Sequence, residues 1–266
     1  MEKEIKLVNK VKRLLRRLGC PRWLHRYGPK KYEFREHLCA LLMRAFCRLS
    51  YVRVAELFDL FGIRCPRKSA LQETAAKLDS SFWQKVLKAT SGQAYLVALD
   101  STGFSRTNPS YHYLKRINGA MPKIPVKMSV AFDTRQKKFC TAKIRVLPAH
   151  DIKDAKFLLQ KSNSKIAVAD KAYNSEKLFQ FAHEQKTSLM VPEKSNAKRG
   201  FFRKKAKKNF RTKTYHRREM VESGFGSCKQ KFGSSVSSRK ARTIRSELYG
   251  RLACHNIFFW ILRLSG

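Results

Sequence analysis

"YLVALD" (residues 95–100) is an apolar run that ends on an acid, and "KIAVAD" (residues 165–170) repeats the pattern further along the chain. Short runs that are apolar throughout, rather than alternating, fit strands buried on both faces. Between them, "VKMSVAFD" (126–133) and "KFCTAKIRVLP" (138–148) flank "TRQK" and read as a hairpin. "DIKDAKFLLQK" (151–161) and "SEKLFQFAHEQ" (175–185) read as helices, and "SLMVP" (188–192) as a further strand. Strand, hairpin, helix, strand, helix, strand is an α/β order in which the two apolar runs are central and parallel. Asp100 and Asp170 then emerge together at the carboxyl edge, where open α/β sheets bind ligands. Strands about 4.8 Å apart bring both acids within reach of one Mg²⁺. Two carboxylates that close repel unless a cation neutralises them. An Asp after a strand also commonly caps the next turn, which accounts for either residue alone. The matched pair favours metal.

Upstream of this pattern the chain reads as helices. "KEIKLVNKVKRLLRRL" (3–18) sets Ile5, Val8, Val11, Leu14, Leu15 and Leu18 at helical spacing. Such a helix packs one face on its domain, holds a partner subunit or lies along a phosphate backbone. "EFREHLCALLMRAFCRL" (33–49) is a second helix. "SYVRVAELFDLFG" (50–62) is a third, with Ser50 as N-cap and Gly62 as C-cap. "PRKSALQETAAKL" (66–78), started by Pro66, is a fourth. The last two, joined by "GIRC", suggest a helix-turn-helix whose second helix enters a major groove and offers Lys68, Gln72 and Glu73 to base edges. A three-helix bundle without DNA contact reads much the same. Residues 1–90 are therefore expected to be a small all-helical, DNA-binding domain and residues 91–266 an α/β domain.

The net charge of +39 narrows the partners. It divides as +13, +10 and +16 over residues 1–90, 91–190 and 191–266 (21, 17 and 20 basic residues against 8, 7 and 4 acids), so no single tail carries it. A chain this cationic repels itself unless a polyanion neutralises it, and nucleic acid is the usual one, an anionic membrane surface the weaker option. No apolar run approaches a membrane-spanning length, and "MEKEIKLVNK" lacks the apolar core of a signal peptide, so a cytoplasmic, nucleoid-associated protein is expected. Seven scattered cysteines with no CxxC pair and no zinc spacing read as buried or free thiols. Residues 194–218 hold twelve Lys and Arg and no acid. This is expected to be an exposed or partly disordered basic insertion, centred on 194–214, with Lys204, Lys205, Lys207 and Lys208 on the DNA backbone.

Beyond residue 190 the acids are only Glu193, Glu219, Glu222 and Glu247. Glu193 follows a strand at a loop edge, and Glu247 lies among arginines and reads as a salt bridge. At about 100° per residue, Tyr215, Arg218, Glu222 and Lys229 fall within about 60° of one helical wheel. Glu222 then offers a third carboxylate flanked by Arg218 and Lys229, cations suited to phosphates. The plainer account is an exposed helix with an i,i+4 Arg–Glu pair. Gly224 and Gly226 weaken such a helix by about 1 kcal/mol each, unless they allow close approach of backbone or DNA.

Taken together, these residues resemble the DDE transposases of bacterial and archaeal insertion sequences, which have a ribonuclease-H-like catalytic domain. Those enzymes place Asp on a first strand, Asp after a later strand and Glu on a following helix. In the group this chain resembles, that helix reads Tyr, two residues, Arg, three residues, Glu, six residues, Lys. Tyr215, Arg218, Glu222 and Lys229 fit at every spacing. "DSTGF" (100–104), "DKAYNS" (170–175) and the closing "ARTIRSELYGRLACHNIFFW" (241–260) are also similar, while Ala172 stands where the family usually has glycine. The resemblance covers roughly residues 95–260. It implies a mixed sheet with flanking helices and catalysis by Asp100, Asp170 and Glu222. Two Mg²⁺ (or Mn²⁺) ions would lie between these acids and activate water, then a DNA 3′-hydroxyl, for in-line attack. Element ends and target DNA are the implied substrates, Tyr215 a contact to a flipped or terminal nucleotide, and a homodimer or higher oligomer on DNA the working form. Another metal-dependent nuclease of the same fold, or a basic architectural protein without catalysis, is the alternative.

Overall fold

The computed structural model of the chain describes residues 2–25, 27, 30–106, 125–195 and 199–258. Residues 196–198 of the basic segment, Phe259 and Trp260 of the closing stretch, and the side chain of Ile5 lie outside that description. Two compact units form: one from Met1–Ala89, Lys231–Gly233 and Ser238–Gly266, the other from Thr90–Gln230 and Ser234–Ser237. No helix among the described residues is long and apolar enough to cross a membrane.

The first unit is helical: α1 (Glu2–Arg17), α2 (Phe34–Phe46), α3 (Tyr51–Leu60), α4 (Lys68–Lys77) and α5 (Ser80–Ser91), whose last two residues pass into the second unit. Ser50 caps α3 by accepting the Arg53 N–H, and Gly62 follows its end at φ +63°, a conformation natural to glycine. The turn from α3 leads into α4, where Lys68, Gln72 and Glu73 are exposed and Glu73 pairs with Lys77. The last helix of the chain (Ala241–Phe258) belongs to this unit as well. A division at residue 90 would have left it with the strands. From Ile244 onward it is buried on nearly every side, which makes it a central helix needing neighbours all round. α2 and α4 supply them, with Trp83 of α5 stacked against Tyr249 at 6.4 Å.

Glu247 is the ionic centre of that unit. It is buried, with Arg251 at 2.6 Å and Arg44 at 3.5 Å, and it accepts the Ser238 N–H. Arg44 in turn lies over the Tyr51 ring at 4.0 Å. The salt bridge expected for Glu247 is therefore present, and deeply placed. Glu247→Gln keeps the shape but leaves two buried cations without their counter-charge. We expect it to destabilise the protein by about 3 kcal/mol or more in denaturant unfolding, and a loss under about 1 kcal/mol would refute that account.

The second unit holds the sheet: β1 (Leu96–Arg106), β2 (Val126–Asp133), β3 (Lys138–Arg145), β4 (Ile166–Ala169) and β5 (Ser188–Met190), in the order β3-β2-β1-β4-β5. β1 pairs antiparallel with β2 and parallel with β4, and β4 pairs parallel with β5. A two-residue β6 (Ser235–Val236), which the sequence did not suggest, pairs with the outer end of β1. This mixed sheet with flanking helices is the ribonuclease-H-like arrangement.

The pleat of β1 sorts its side chains between two layers. Val97 and Leu99 join the core formed with α6 (Ile152–Ser162) and α7 (Glu176–Glu184). Ala98 and Asp100 share the opposite face with their register partners Phe132 and Val130. On that face lies α10 (Glu219–Phe232), preceded by α8 (Phe201–Lys208), α9 (Thr212–Tyr215) and a 3₁₀ turn (His216–Arg218). Gly224 of α10 sits so close to the Phe132 ring that a Cβ would come within 2.7 Å of it. Its glycine serves packing on the sheet, whereas a Cβ on Gly226 would meet open space. Neither interrupts the helix. Among the described residues no disulfide forms, and Cys39, Cys65, Cys140, Cys228 and Cys254 are buried.

Candidate active site

The parallel register of β1 and β4 runs Leu96↔Ile166 to Leu99↔Ala169. The next residues are Asp100 and Asp170, so both acids follow the last residues of the parallel pairing. β4 ends there, but β1 does not end at Asp100 as its apolar run suggested and continues to Arg106, held by its ladder with β2. Each also makes the local bond expected of a capping Asp. Asp100 accepts the Ser101 N–H at 2.8 Å, and Asp170 accepts the Lys171 N–H at 2.7 Å at the start of a 3₁₀ turn (Lys171–Tyr173). Only Asp170 is a true cap, since Asp100 lies within β1; each uses its Oδ1 for the backbone and keeps its other oxygen.

Arg218 closes the site from the other layer. Its guanidinium lies 3.6 Å from Asp100 and 3.0 Å from Glu222. Asp100 and Glu222 thus meet at this arginine from a strand and a helical segment, and Asp170 acts on the same guanidinium through space. Tyr215, Arg218, Glu222 and Lys229 do not share one continuous helix, as the wheel had supposed. Tyr215 ends α9, Arg218 sits in the 3₁₀ turn, and Glu222 and Lys229 lie on α10. The tighter turn rotates the chain between them but keeps Arg218 and Glu222 paired. Tyr215 rests on Phe210, with ring centroids 5.3 Å apart. The Lys229 ammonium stands 5.4 Å from the Phe104 ring centroid. Phe104 is four residues along β1 from Asp100, about 13 Å.

The electrostatics are those of a site rich in negative charge. Burial pushes the Asp100 carboxyl above its ordinary range; the Ser101 N–H and Arg218 oppose this, while Glu222 and Asp151 reinforce it. Arg218 loses some hydration by burial, yet Glu222, Tyr215, Asp100 and Asp170 hold its pKa above the usual value. The buried Tyr173 hydroxyl has no hydrogen-bond partner among the described residues. Burial, then Asp151, Asp100, Asp154 and Asp170, drive its pKa upward and keep it a donor. Among the described residues no three His, Cys, Asp or Glu side chains are already gathered as a metal cage. Asp100 and Glu222 are instead joined through Arg218. The donor set remains one of hard oxygens with an unfavourable surplus of charge around Asp100, which fits a divalent cation.

The basic segment is ordered where it is described. Glu176 accepts the N–H groups of Phe202 and Arg203, capping α8, and Gly200 just before it takes φ +128° with no room for a Cβ beside Glu176. Arg203 bonds Asn174 Oδ1, and Asn174 bonds the Pro192 carbonyl, so α8 is fastened to the loop that follows Asp170. Lys204, Lys205, Lys207 and Lys208 are exposed, Lys205 meeting His183 and Lys207 meeting Glu193 at its loop edge. The expectation of partial disorder is thus corrected for residues 199–218: the Glu176 cap and the apolar contacts of Phe202 and Ala206 hold the helix down.

The sheet order, with helices on both faces, is that of the ribonuclease-H-like fold. The transposase DDE-domain family matches residues 91–257, and the chain belongs to that family. No curated protein matches it. Among solved structures, a piggyBac transposase synaptic complex with hairpin DNA is similar at a TM-score of 0.49 and 13% identity, over 95% of this chain and 71% of that one.

The residues that sequence reasoning passed over are Ser101, Lys127, Asp151 and Tyr173. Three of the four lay inside stretches quoted for other reasons, and Asp151 was read only as the start of a helix.

Proposed function

We propose that the protein is a transposase that binds the ends of a mobile element as double-stranded DNA, cuts them and joins them to target DNA, working as a homodimer or higher oligomer. The observation that supports this reading is that Arg218 bridges Asp100 and Glu222 while Asp170 follows the residue in register with Leu99 on the parallel neighbour of β1. Asp100, Asp170 and Glu222 would hold divalent metal, two Mg²⁺ or Mn²⁺ ions. When bound, such ions supply positive charge to the phosphodiester in its transition state and make water or a 3′-hydroxyl a stronger nucleophile. Arg218 is placed to exchange its carboxylate partners for a phosphate, a bidentate acceptor its planar fork fits. Lys229, about 13 Å along β1, suits a second phosphate some four nucleotides away at about 3.4 Å each. Tyr215, whose ring lies tilted against Phe210, offers a ring face to an unpaired base. Lys68 and Gln72, exposed at the start of α4, suit base edges in a major groove, which supports a recognition role for the helical unit.

The test is strand cleavage and joining by the purified protein on DNA carrying the inverted repeats that flank its gene. Products are expected with Mg²⁺ or Mn²⁺ and none with a chelator. Metal-independent cleavage, or none from any flanking sequence, would overturn the proposal.

A separate expectation concerns α8. Replacing Lys204, Lys205, Lys207 and Lys208 by Ala should weaken binding to all DNA sequences alike. It should also flatten the log–log salt dependence by roughly 2 to 4, at about 0.9 per phosphate contact. The lower figure allows for Lys205 and Lys207 staying with His183 and Glu193. An unchanged slope would show that α8 is off the DNA.

A further inference from the structure

Asp100 is held from the far side of the sheet by a latch that none of the three acids explains. Ser101 follows Asp100 on β1 and so turns to the opposite face, toward α6. There its hydroxyl donates to Asp151, the residue before α6, at 2.6 Å. Lys127 of β2 meets the same Asp151 oxygen at 2.5 Å and also donates to the Ala149 carbonyl. A second bond of the same kind lies alongside: Ser129, the register partner of Ser101, donates to Asp154 at 2.9 Å, one helical turn beyond Asp151. Arg145, the register partner of Lys127, holds Asp154 at 2.6 Å. Two serines paired across β1 and β2 therefore reach two aspartates at the start of α6, and two cations paired across β2 and β3 neutralise them.

The two latches differ in what they can influence. Asp154 is fully buried and its serine has Val130 as the neighbour across from Asp100, so its work is to fasten α6 to the sheet. Asp151 is partly exposed, and its serine is covalently next to Asp100. The N–H of that same Ser101 donates to Asp100 Oδ1. Fixing the Ser101 side chain fixes the peptide that aims the carboxylate.

We propose that Asp151, acting through Ser101 and neutralised by Lys127, is a positioning residue that holds Asp100 in the geometry needed to take a divalent cation. Outer groups that orient a ligand in this way typically change metal affinity by ten- to a hundredfold when removed. The serine hydroxyl and the Asp151 carboxylate act in series, so removing either breaks the same link. The inference rests on the reading of Asp100 as a metal ligand.

The test measures Mn²⁺ binding to the full-length protein by calorimetry, with thermal melting in parallel, for wild type, Asp100→Asn, Ser101→Ala, Ser101→Thr, Asp151→Asn and the Ser101→Ala/Asp151→Asn double variant. Ser101→Ala and Asp151→Asn are each expected to weaken Mn²⁺ binding roughly tenfold or more, the double variant no further, and Ser101→Thr to retain affinity. Cooperative melting in Ser101→Ala, a small change, keeps the test open even if Asp151→Asn misfolds. Wild-type affinity in a folded Ser101→Ala overturns the proposal, as do losses that multiply in the double variant. If Asp100→Asn binds Mn²⁺ as wild type does, the underlying reading of Asp100 falls, and the positioning role with it. If Asp100→Asn alone loses binding, only the positioning role falls.

Discussion

Glu222→Gln is expected to lose DNA cleavage and joining by roughly a thousandfold, about 4 kcal/mol in the barrier, while Glu219→Gln keeps activity within a few fold. The two acids sit three residues apart on α10, so composition and local sequence hardly separate them. Their surroundings do. Glu222 shares the Arg218 guanidinium with Asp100, whereas Glu219 is largely exposed and has His216 at 3.9 Å as its ionic neighbour. An amide preserves the outline of a glutamate but removes the charge a hard cation requires. Folding should survive both changes. The Arg218–Glu222 contact is itself more than half exposed on the glutamate side, and pairs of that kind contribute under about 1 kcal/mol. Binding of uncut DNA should also persist, since the amide takes a negative charge away from beside the phosphate backbone. Cleavage, DNA retention and melting measured on both variants decide the matter. Full activity in Glu222→Gln with loss in Glu219→Gln would reassign the third acid.

Much of this geometry is legible in the chain because it follows from strand periodicity. "YLVALD" and "KIAVAD" are uninterrupted apolar runs, so they had to be central strands, and their matched terminal acids had to meet if the strands were parallel. The two runs are indeed parallel neighbours, with Leu99 and Ala169 as register partners, though β1 runs on past its acid to Arg106. What periodicity does not encode is which element from elsewhere covers a given face. The closing helix carries no clear polar side, and its burial beside α2 and α4 depends on contacts with residues some two hundred positions earlier, such as the Cys254 thiol on the Leu42 carbonyl. The stripe from Tyr215 to Lys229 was drawn on an ideal wheel, and the 3₁₀ turn at His216–Arg218 displaced it. Asp151 escaped notice for a different reason. An Asp before a helix is so ordinary a capping residue that nothing local marks it, yet here no side-chain cap bond is made and the carboxylate is turned to Ser101 and Lys127 instead. Glu176 is similar, an acid at the start of α7 that caps α8.

Asp100→Asn should abolish cleavage and, unusually for a change at a well-ordered residue, give a melting temperature at neutral pH equal to or above that of wild type. The sign follows from the direction of the Asp100 shift. Burial, with Glu222 and Asp151, raises its folded-state pKa above the ordinary carboxylate value, so the native state holds this proton more tightly than the unfolded chain does. Stability linked to this group is therefore greatest in acid and falls as pH rises from the ordinary carboxylate value through the raised one. At neutral pH the ionised side chain is a net cost to folding. Asn removes that cost, keeps an oxygen to accept the Ser101 N–H, and gives up only the 3.6 Å contact to Arg218. The advantage of the variant should shrink as the solution is acidified and wild-type Asp100 becomes protonated. Divalent metal should have the opposite signature: a cation bound only by the native state raises its melting temperature, so Mg²⁺ or Mn²⁺ should stabilise wild type and not the variant. Asp170→Asn should lose cleavage too, with its bond to the Lys171 N–H retained by the amide oxygen. Melting curves with and without metal at neutral and acidic pH, beside a cleavage assay, test each step. Normal cleavage by Asp100→Asn would remove the catalytic assignment, and a clear loss of stability at neutral pH would show that the carboxylate is held there for the fold.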